Sequence, residues 1–281
     1  MLSLAAALVW LGLRIHGRAD QAWDWDWSLL AQYLVRRNAS TGAWEPALLL
    51  QGLLATIRLS AWAAVLACCL GLAAGILRTR TAWLPRLVAG VYVETVRNMP
   101  PLVLLFLIYF FLSDTLVALS GLEDWLRSLP APLQRIVAVL AAPAGRIGGF
   151  VGAVTALAVY EGAYVAEIIR AGIQSVGKGQ WDAARALGLT PWLRLRHVIL
   201  PQATVRILPP LAGQLISLIK DSAIVAVISV PELTFQGLEL MATTMRTLEI
   251  WTMIAALYFL LCLGCSLTAR RLERRLRRRL E

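Results

Sequence analysis

Charged side chains are scarce in this sequence. Asp, Glu, Lys and Arg make up 16% of its 281 residues, whereas a soluble domain usually carries about 25%. The deficit is uneven, because several long apolar runs hold almost no charge and the segments between them hold most of it. This distribution excludes an ordinary soluble domain and is typical of a protein that crosses a membrane several times. The formal net charge of +10 comes from Arg in those segments and in the tail, which favours a role in topology over nucleic-acid binding.

Cysteine and histidine are also rare, with four Cys and two His in the chain. All four Cys lie inside apolar runs, whereas zinc and redox sites normally need polar, accessible surroundings. Neither His16 nor His197 has the spacing of a metal ligand, and no catalytic triad or carboxylate pair stands out. The sequence therefore predicts a protein that is not an enzyme and that holds no metal or cofactor, with its cysteines serving helix packing. These are Cys68, Cys69, Cys262 and Cys265.

Five apolar runs approach or exceed the length of about 20 residues that a helix needs to cross a bilayer. A shorter run at 1–13 lacks a basic start and a convincing cleavage site, so we predict a short N-terminal helix and no cleaved signal peptide. The Trp-rich segment 23–27 is typical of a membrane–water interface. The predicted fold is an all-α polytopic membrane helix bundle with five core spans and this short extra helix. The five runs are about 48–77, 100–119, 147–169, 207–230 and 248–267, the second preceded by an amphipathic stretch at 87–97.

The basic residues predict an orientation, because cytoplasmic loops carry an excess of Lys and Arg. Segments 78–97 and 170–206 and the tail hold many more of them than the alternate loops. We therefore expect the 170–206 loop and the C-terminus to be cytoplasmic, and the tail either lies on anionic headgroups or only anchors the orientation. The predicted division is an N-terminal segment 1–46, a transmembrane domain 47–270 with outer segments 120–146 and 231–246, and a basic tail 271–281.

The predicted cytoplasmic loop at 178–201 is longer than a connection between two spans requires, which suggests a function of its own. The Ala-rich stretch that begins at Asp182 favours a helix. The Asp182 carboxylate then lies near the helix start, where its negative charge suits the helix dipole. Gly188 supplies a left-handed stop, and Thr190 with Pro191 is typical of the N-cap and first position of a second helix, ending at 200–201. The sequence predicts a helix–turn–helix unit whose exposed surface docks a partner. The residues predicted to be exposed are Arg185, Leu187, Leu189, Trp192, Arg194 and Arg196.

The same loop resembles the Glu-Ala-Ala loop of permease subunits in binding-protein-dependent ABC importers. That loop reads Glu-Ala-Ala, three residues, Gly, nine residues and Ile-x-Leu-Pro, and every spacing matches here. Two positions depart, with Asp182 for Glu and Val198 for Ile, and both keep the charge or the shape. The resemblance implies that this loop sits in a cleft of a cytoplasmic ATPase and transmits its closure to the spans. The matching residues are Asp182, Ala183, Ala184, Gly188, Val198, Leu200 and Pro201.

Further segments are similar to the polar amino-acid permeases of this class, such as the histidine, glutamine and arginine permeases. They include Tyr92-Val-Glu94, Pro100-Pro-Leu-Val103, Tyr164-Val-Ala-Glu167 and Val230-Pro-Glu-Leu233, and the resemblance covers roughly 48–270. It implies the type I ABC importer permease fold and the membrane-spanning subunit of an ATP-driven amino-acid importer, multi-pass in a bacterial inner membrane. The implied partners are a cytoplasmic ABC ATPase dimer, a second permease subunit (identical or homologous), an extracytoplasmic solute-binding protein, the amino-acid substrate and membrane lipid, and no nucleic acid.

Ionisable residues inside a membrane are costly unless they face a cavity or a partner. Glu161 is the deepest, and one hypothesis places it on the translocation path, in contact with the substrate's ammonium group, with Lys220 and Asp221 as further path residues. The alternative is an internal ion pair between Glu161 and Lys220. Near the end of the third run, Glu167 has Arg170 three residues later, which predicts a local helix ion pair.

One short run of the sequence resembles a nucleotide-binding motif. The run from Gly172 to Lys178 matches the start of a phosphate-binding loop, but Gly179 replaces the Ser or Thr that binds magnesium and no strand precedes it. We therefore expect no nucleotide site in this chain.

Three rival functions remain open. They are an importer of another small solute such as an opine, a proton-coupled secondary transporter using Glu161 and Lys220, and a membrane scaffold that docks a partner through 182–200.

Overall fold

The protein, represented by a computed structural model that describes residues 32–38 and 42–280, is almost entirely helical there. The predicted N-terminal helix at 1–13 and the Trp-rich segment lie outside the described residues. Within the described residues, the exception to the all-α prediction is one antiparallel pair of short strands, β1 (Val35–Arg37) and β2 (Trp44–Pro46). Asn38 Nδ2 donates to Glu45 Oε1 at 2.7 Å, which fastens the turn of this hairpin immediately before the first long helix.

Twelve α-helices follow in the described residues, and π-helical turns join two pairs of successive helices. The π turns are Leu107–Ser113 and Arg194–Ile199, and 3₁₀ turns lie at Ala144–Arg146 and Ser222–Ile228. The helices are α1 (Leu48–Arg78), α2 (Trp83–Asn98), α3 (Pro101–Phe106), α4 (Asp114–Ser120), α5 (Leu122–Ser128), α6 (Ala131–Leu140), α7 (Ile147–Gln174), α8 (Lys178–Ala186), α9 (Pro191–Leu193), α10 (Leu200–Asp221), α11 (Leu233–Thr244) and α12 (Thr247–Leu280).

Four stretches of the described chain are long and apolar enough to cross a membrane, and a bent pair of helices brings the number to five. In that pair, α2 meets the helix that begins at Pro101 at an angle of 117°. The predicted second run at 100–119 is therefore not a straight span. Met99 is extended, with ψ of 144°, because a residue before proline is driven out of the helical region. The unbent stretches are Leu48–Arg78, Ala131–Gln174, Pro191–Ile228 and Thr247–Arg271.

The prediction that a separate second helix of the loop ends at Leu200–Pro201 is wrong. The chain stays helical from Pro191 through the π turn Arg194–Ile199 into α10. Pro201 falls in the first turn of α10, where a missing N–H is tolerated. The Gln202 side-chain amide donates to the Val198 carbonyl at 2.9 Å and satisfies one acceptor that the irregular turn leaves free. The loop therefore runs directly into the fourth span.

The last helix, α12, also runs past its predicted end. It holds 34 residues, which corresponds to about 50 Å, whereas the hydrocarbon core of a bilayer is about 30 Å thick. Residues 271–280 continue this helix without a break. The basic stretch is thus the end of the last helix.

Helices α1 and α7 pack together at glycine positions. A Cβ atom at Gly71 would lie 2.4 Å from Cγ1 of Val165, and one at Gly75 would lie 2.8 Å from the carbonyl oxygen of Ala166. The two glycines form a G-x-x-x-G pattern, which lets helices approach closely within a membrane. Since Gly71 meets Val165 and Gly75 meets Ile169, the two helices run in the same direction.

We expect Gly71→Ala to destabilise the bundle by about 1–3 kcal/mol, because the added methyl overpacks a contact with Val165 that cannot widen freely. Gly90→Ala is the matched control, since Gly90 also lies inside a helix and has no atom within 4 Å of an added Cβ. Thermal unfolding of the two purified variants in the same detergent measures the difference. Equal melting temperatures would contradict the close packing of α1 on α7.

Arg58 and Trp62 of α1 close the end of another helix, α6. Arg58 Nη1 donates to the Ala138 carbonyl at 2.8 Å, and Trp62 Nε1 donates to the Leu140 carbonyl at 2.9 Å. The last carbonyls of a helix have no partner within the helix, so these side chains supply what α6 lacks. An arginine inside an apolar run is thereby bound to backbone acceptors.

Glu232 joins three helices at the start of α11. Its carboxylate accepts hydrogen bonds from Phe235 N at 2.9 Å, from Tyr258 Oη of α12 at 2.7 Å and from Thr56 Oγ1 of α1 at 3.3 Å, and it is fully buried. Thr56 Oγ1 in turn accepts from Leu233 N at 3.1 Å. Burial raises the pKa of Glu232, and these hydrogen bonds oppose that shift. The junction fixes α11 against α1 and α12.

Glu232→Ala should lower the free energy of unfolding by about 1–3 kcal/mol, because it leaves buried donors without an acceptor. The same substitution at Glu239, an exposed residue of the same helix, is the control and should leave the free energy of unfolding within about 0.5 kcal/mol of wild type. A scanning calorimetry or fluorescence melt of both proteins checks this. Similar melts for the two variants would show that the junction contributes nothing to stability.

Candidate functional site

A cavity of about 180 Å³ is bordered by α3, α7 and the end of α10. Its wall is apolar on the α3 side and carries three polar side chains on the other. Lys220 and Asp221 are exposed, while Tyr160 is half-buried. The structure therefore brings a cation, a carboxylate and a phenol to one cavity between spans. The lining residues that matter here are Pro101, Leu105, Leu157, Tyr160, Lys220 and Asp221.

Glu161 lies directly behind this wall and is fully buried. Gln214 Nε2 donates to its Oε2 at 2.7 Å, and the Asp221 carboxyl lies next to the Glu161 carboxyl. Its other oxygen, Oε1, has no hydrogen-bond donor among the described residues. Two adjacent carboxyls with one oxygen unsatisfied favour the approach of a cationic donor or a shared proton.

The predicted path residues are brought together, but the alternative ion pair is not formed. Among the described residues, no ion pair within 4.0 Å joins Glu161 to Lys220. Lys220 and Asp221 line the cavity, and Glu161 lies behind its wall next to Asp221. Gln214 was not predicted from the sequence, although a signal existed: it is an amide in an apolar run, seven residues before Asp221 and hence on the same helix face.

The predicted pair between Glu167 and Arg170 is confirmed, with a contact from Arg170 Nη2 to Glu167 Oε1 and one from Nε to Oε2 at 3.1 Å. The pair belongs to a larger network at the end of the bundle where α1, α2 and α7 meet, here called the basic end. Arg78 Nη1 lies 2.7 Å from Glu167 Oε2, and its Nη2 lies 2.9 Å from Glu94 Oε1. Arg97 Nη1 lies 3.8 Å from Glu167 Oε2. The network joins α1, α2 and α7 through Glu167.

The turn after α8 has the geometry that the sequence predicts. Gly188 has φ of +68°, the left-handed region that only glycine enters without cost. Its N–H donates to the Arg185 carbonyl at 3.0 Å, and Leu189 N donates to the Ala184 carbonyl at 3.3 Å. These two bonds form a Schellman closure of α8. Thr190 then caps the next helix, accepting from Leu193 N at 3.4 Å.

Asp182 is not near the start of its helix, contrary to the prediction. Helix α8 begins four residues earlier, at Lys178, because Lys178 and Gln180 are good helix formers and Gly179 in the first turn does not prevent the helix from starting there. Asp182 therefore sits in the second turn, exposed, with its Oδ1 3.9 Å from Arg185 Nη1. Its role at this position is a surface charge and not a dipole partner.

Exposure divides the predicted docking residues into two groups. Leu187 is 77% and Trp192 50% exposed, and Arg185 and Arg196 are also exposed. Leu189 and Arg194 are half-buried, which corrects their predicted exposure; the α8 closure turns Leu189 inward. The matching loop residues are placed as follows: Asp182, Ala183, Gly188 and Pro201 are exposed, Val198 and Leu200 are half-buried, and Ala184 is buried.

Helix α8 is fastened to both neighbouring spans. Gln202 of α10 donates through Nε2 to Gln180 Oε1 at 3.1 Å. Arg206 contacts the backbone carbonyl of Ser175, and its Nη1 lies 3.1 Å from Ser175 Oγ. Trp181 packs on the cluster formed by the ends of α7 and α10. A displacement of α8 therefore displaces α10, whose far end carries Lys220 and Asp221.

Comparison with known proteins gives a consistent result. The family profile described as a binding-protein-dependent transport system inner membrane component matches residues 49–278. The glutamine transport system permease protein of Escherichia coli (strain K12) is 37% identical over 230 residues, which cover 82% of this chain and 93% of that protein. The glutamate/aspartate import permease protein of the same strain is 30% identical over 254 residues, which cover 90% and 96%. A crystal structure of an amino acid ABC transporter with histidines superimposes with a TM-score of 0.67 and 34% identity, covering 90% of this chain and 100% of that one.

Proposed function

The chain belongs to the family of binding-protein-dependent transport system inner membrane components, and from this premise we propose that it is the membrane-spanning permease of an ATP-driven importer of amino acids. The relatives named for glutamine and for glutamate and aspartate support this substrate class. One observation carries the proposal: a single helical run leads from the exposed loop at Pro191 to the cavity residues at its other end. A docking surface and a transmembrane cavity are thereby parts of one helix.

The loop is proposed to dock a cytoplasmic ABC ATPase dimer, which hydrolyses ATP in a subunit separate from this chain. Its exposed apolar side chains, Leu187 and Trp192, have the character of residues that fill a partner's pocket. The Schellman closure at Gly188 holds Leu187 at the tip. The proposed coupling residues are Asp182, Ala183, Ala184, Gly188, Val198, Leu200 and Pro201.

The proposed assembly has two further components. A second permease subunit, identical or homologous, completes the path, and an extracytoplasmic solute-binding protein delivers the substrate on the opposite face. The basic end and the C-terminus are proposed to face the cytoplasm of a bacterium, with the chain in the inner membrane, and the excess of Lys and Arg at the basic end supports this orientation. The proposed transmembrane domain is 47–270, with the coupling loop at 178–201.

The cavity is proposed to recognise both charges of a free amino acid. The carboxyls of Asp221 and Glu161 suit the α-ammonium group, and the Lys220 ammonium suits the α-carboxylate. Transport follows alternating access: ATP-driven closure of the ATPase moves α8, and with it α10, so that the cavity opens to one side and then to the other. Each partner shifts this equilibrium only by the difference in its affinity for the two states.

The test combines a pull-down with an uptake assay. The tagged chain, solubilised in a mild detergent, should retain an ABC ATPase that an equally tagged unrelated membrane protein does not. Proteoliposomes of the complex should take up radiolabelled glutamine or glutamate only when they contain ATP. This uptake should continue in the presence of a protonophore. Uptake without ATP that a protonophore stops would favour the secondary transporter, and a complex that moves no solute would favour the scaffold. Competition by an opine but by no amino acid would move the substrate class.

A further inference from the structure

A second cavity, of about 370 Å³, lies at the basic end between the α1–α2 connection and the start of α8. Its lining includes four cationic side chains and no acidic one. The hydroxyl of Thr81 and the indole of Trp181 contribute to the same wall. The cations are Arg78, Arg80, Arg86 and Lys178.

Three of these four charges have no ion-pair partner among the residues that the structure describes. Arg78 is neutralised by Glu94 and Glu167. Arg80, Arg86 and Lys178 form no ion pair within 4.0 Å in the described part of the chain. Like charges held around one concave surface repel one another and raise the local potential. Such a surface is stabilised by an anion.

An apolar cleft adjoins this cavity and shares Arg86 with it. The cleft has a volume of about 560 Å³ and follows the outer face of α2 past Trp83, Leu87, Gly90 and Val91 to Glu94, which is paired with Arg78. Trp83, Leu87 and Val91 are 67%, 51% and 58% exposed, and no atom lies within 4 Å of a Cβ placed on Gly90. A cationic cavity that continues into an open apolar cleft suits a ligand with an anionic head and a hydrocarbon chain.

The position of the two cavities agrees with such a ligand. The first span ends at Arg78, so the cavity lies where the hydrocarbon of the bilayer gives way to headgroups. Trp83 and Trp181 stand at this level, and Trp is favoured at the membrane–water interface. With the orientation proposed above, the cavity opens to the cytoplasmic leaflet, whose anionic lipids are drawn to basic pockets beside transmembrane helices.

We propose that this cavity binds the phosphate headgroup of an anionic phospholipid, with an acyl chain along α2. Arg80, Arg86 and Lys178 surround the phosphate, and Thr81 donates a further hydrogen bond. Lys178 is the lysine of the run that resembles a phosphate-binding loop. Gly172 of that run lies inside α7, where an added Cβ would be 2.2 Å from Ile207 Cγ1. The run is therefore the end of α7, a short turn at 175–177 and the first residue of α8, while its lysine faces a different phosphate.

The test uses the complete transporter in detergent and native mass spectrometry, with dioleoyl-phosphatidylglycerol as the probe and dioleoyl-phosphatidylcholine as the neutral lipid. The variant R80Q/R86Q removes two of the three uncompensated charges and keeps Lys178, with which the proposed coupling loop begins. The matched control R36Q/R135Q removes two exposed arginines away from the cavity. Wild type and control should retain one phosphatidylglycerol at a concentration at which the cavity variant loses it, with affinity weaker by about tenfold or more. Wild type, cavity variant and control should all bind phosphatidylcholine without selectivity.

A second variant, Gly90→Leu, separates the lipid from a free anion. The leucine side chain extends into open space, so the protein folds. The substitution should weaken the binding of phosphatidylglycerol without changing the weak binding of glycerol phosphate. Equal phosphatidylglycerol binding by the cavity variant and the control overturns the proposal. So does displacement of the lipid by inorganic phosphate or ATP at equal concentration, which would assign the cavity to a soluble anion. Co-purification of the ATPase with every variant shows that the proposed function is tested separately.

Discussion

Uptake driven by ATP is expected to fall by roughly tenfold or more when Gly188 is replaced by Val. The glycine has φ of +68°, where a residue with a Cβ costs about 1–2 kcal/mol and a β-branched residue is a clear outlier. Nothing lies within 4 Å of an added Cβ, so the effect arises from the backbone and not from a clash. A backbone that leaves this region breaks the bonds from Gly188 N and Leu189 N that close α8. Leu187 at the tip then loses its fixed position.

Gly188→Asn is the control for this prediction, because Asn enters the left-handed region far more readily than a β-branched residue. Both variants should reach the membrane and melt near the wild-type temperature, since the turn is exposed and far from the packed spans. The Asn variant should retain most of the co-purifying ATPase and the uptake, and the Val variant should lose both. Equal uptake by the two variants would show that the conformation of this turn is not needed for coupling.

Glu161→Gln is expected to reduce uptake of amino acid at low concentration by about 10- to 100-fold. The substitution keeps the shape of the side chain, and the amide oxygen can still accept from Gln214 Nε2. It removes one of the two adjacent carboxyls that the proposed path offers to an ammonium group, and hydrogen bonds to charged groups are worth about 1.5–3 kcal/mol. The loss should therefore appear in the substrate dependence of the uptake rate and not in stability.

The measurement is the initial rate of glutamine uptake against concentration, together with the membrane level, the melting temperature and the co-purified ATPase. Glu239→Gln makes the same chemical change at an exposed position of α11 and should behave as wild type. Unchanged uptake by Glu161→Gln at normal membrane levels would remove this residue from the path. A lower melting temperature accompanied by loss of the ATPase would instead assign Glu161 a structural role.

Local features were predictable from the sequence, because they depend on residues a few positions apart. The stop at Gly188, the cap at Thr190 with Pro191 and the pair between Glu167 and Arg170 are of this kind. The apolar runs were found for a similar reason, since hydropathy alone measures them. The predicted end of the second helix of the loop, at Leu200–Pro201, was wrong, because proline in a first turn and proline after a helix give the same sequence pattern.

Long-range contacts were not predictable, because the sequence does not state which helices are neighbours. Arg78 and Glu167 are 89 positions apart, and Thr56 and Glu232 are 176 apart. Each pair needs two helices to be placed at the correct distance and rotation before its side chains can be matched. The same holds for the candidate site: Glu161 was identified as a costly charge, but its partner Gln214 depends on how α7 packs on α10.

The glycine contact between α1 and α7 has a mechanical consequence. Helices held together at Gly71 and Gly75 cannot slide along each other without driving Val165 and Ile169 into a neighbouring backbone. We therefore expect the pair to move as one rigid unit. At the basic end α7 leads through Ser175 into α8, and at the other end Thr56 of α1 is bound to Glu232. A displacement of α7 at the basic end is therefore expected to be transmitted along α1 to the α11 junction.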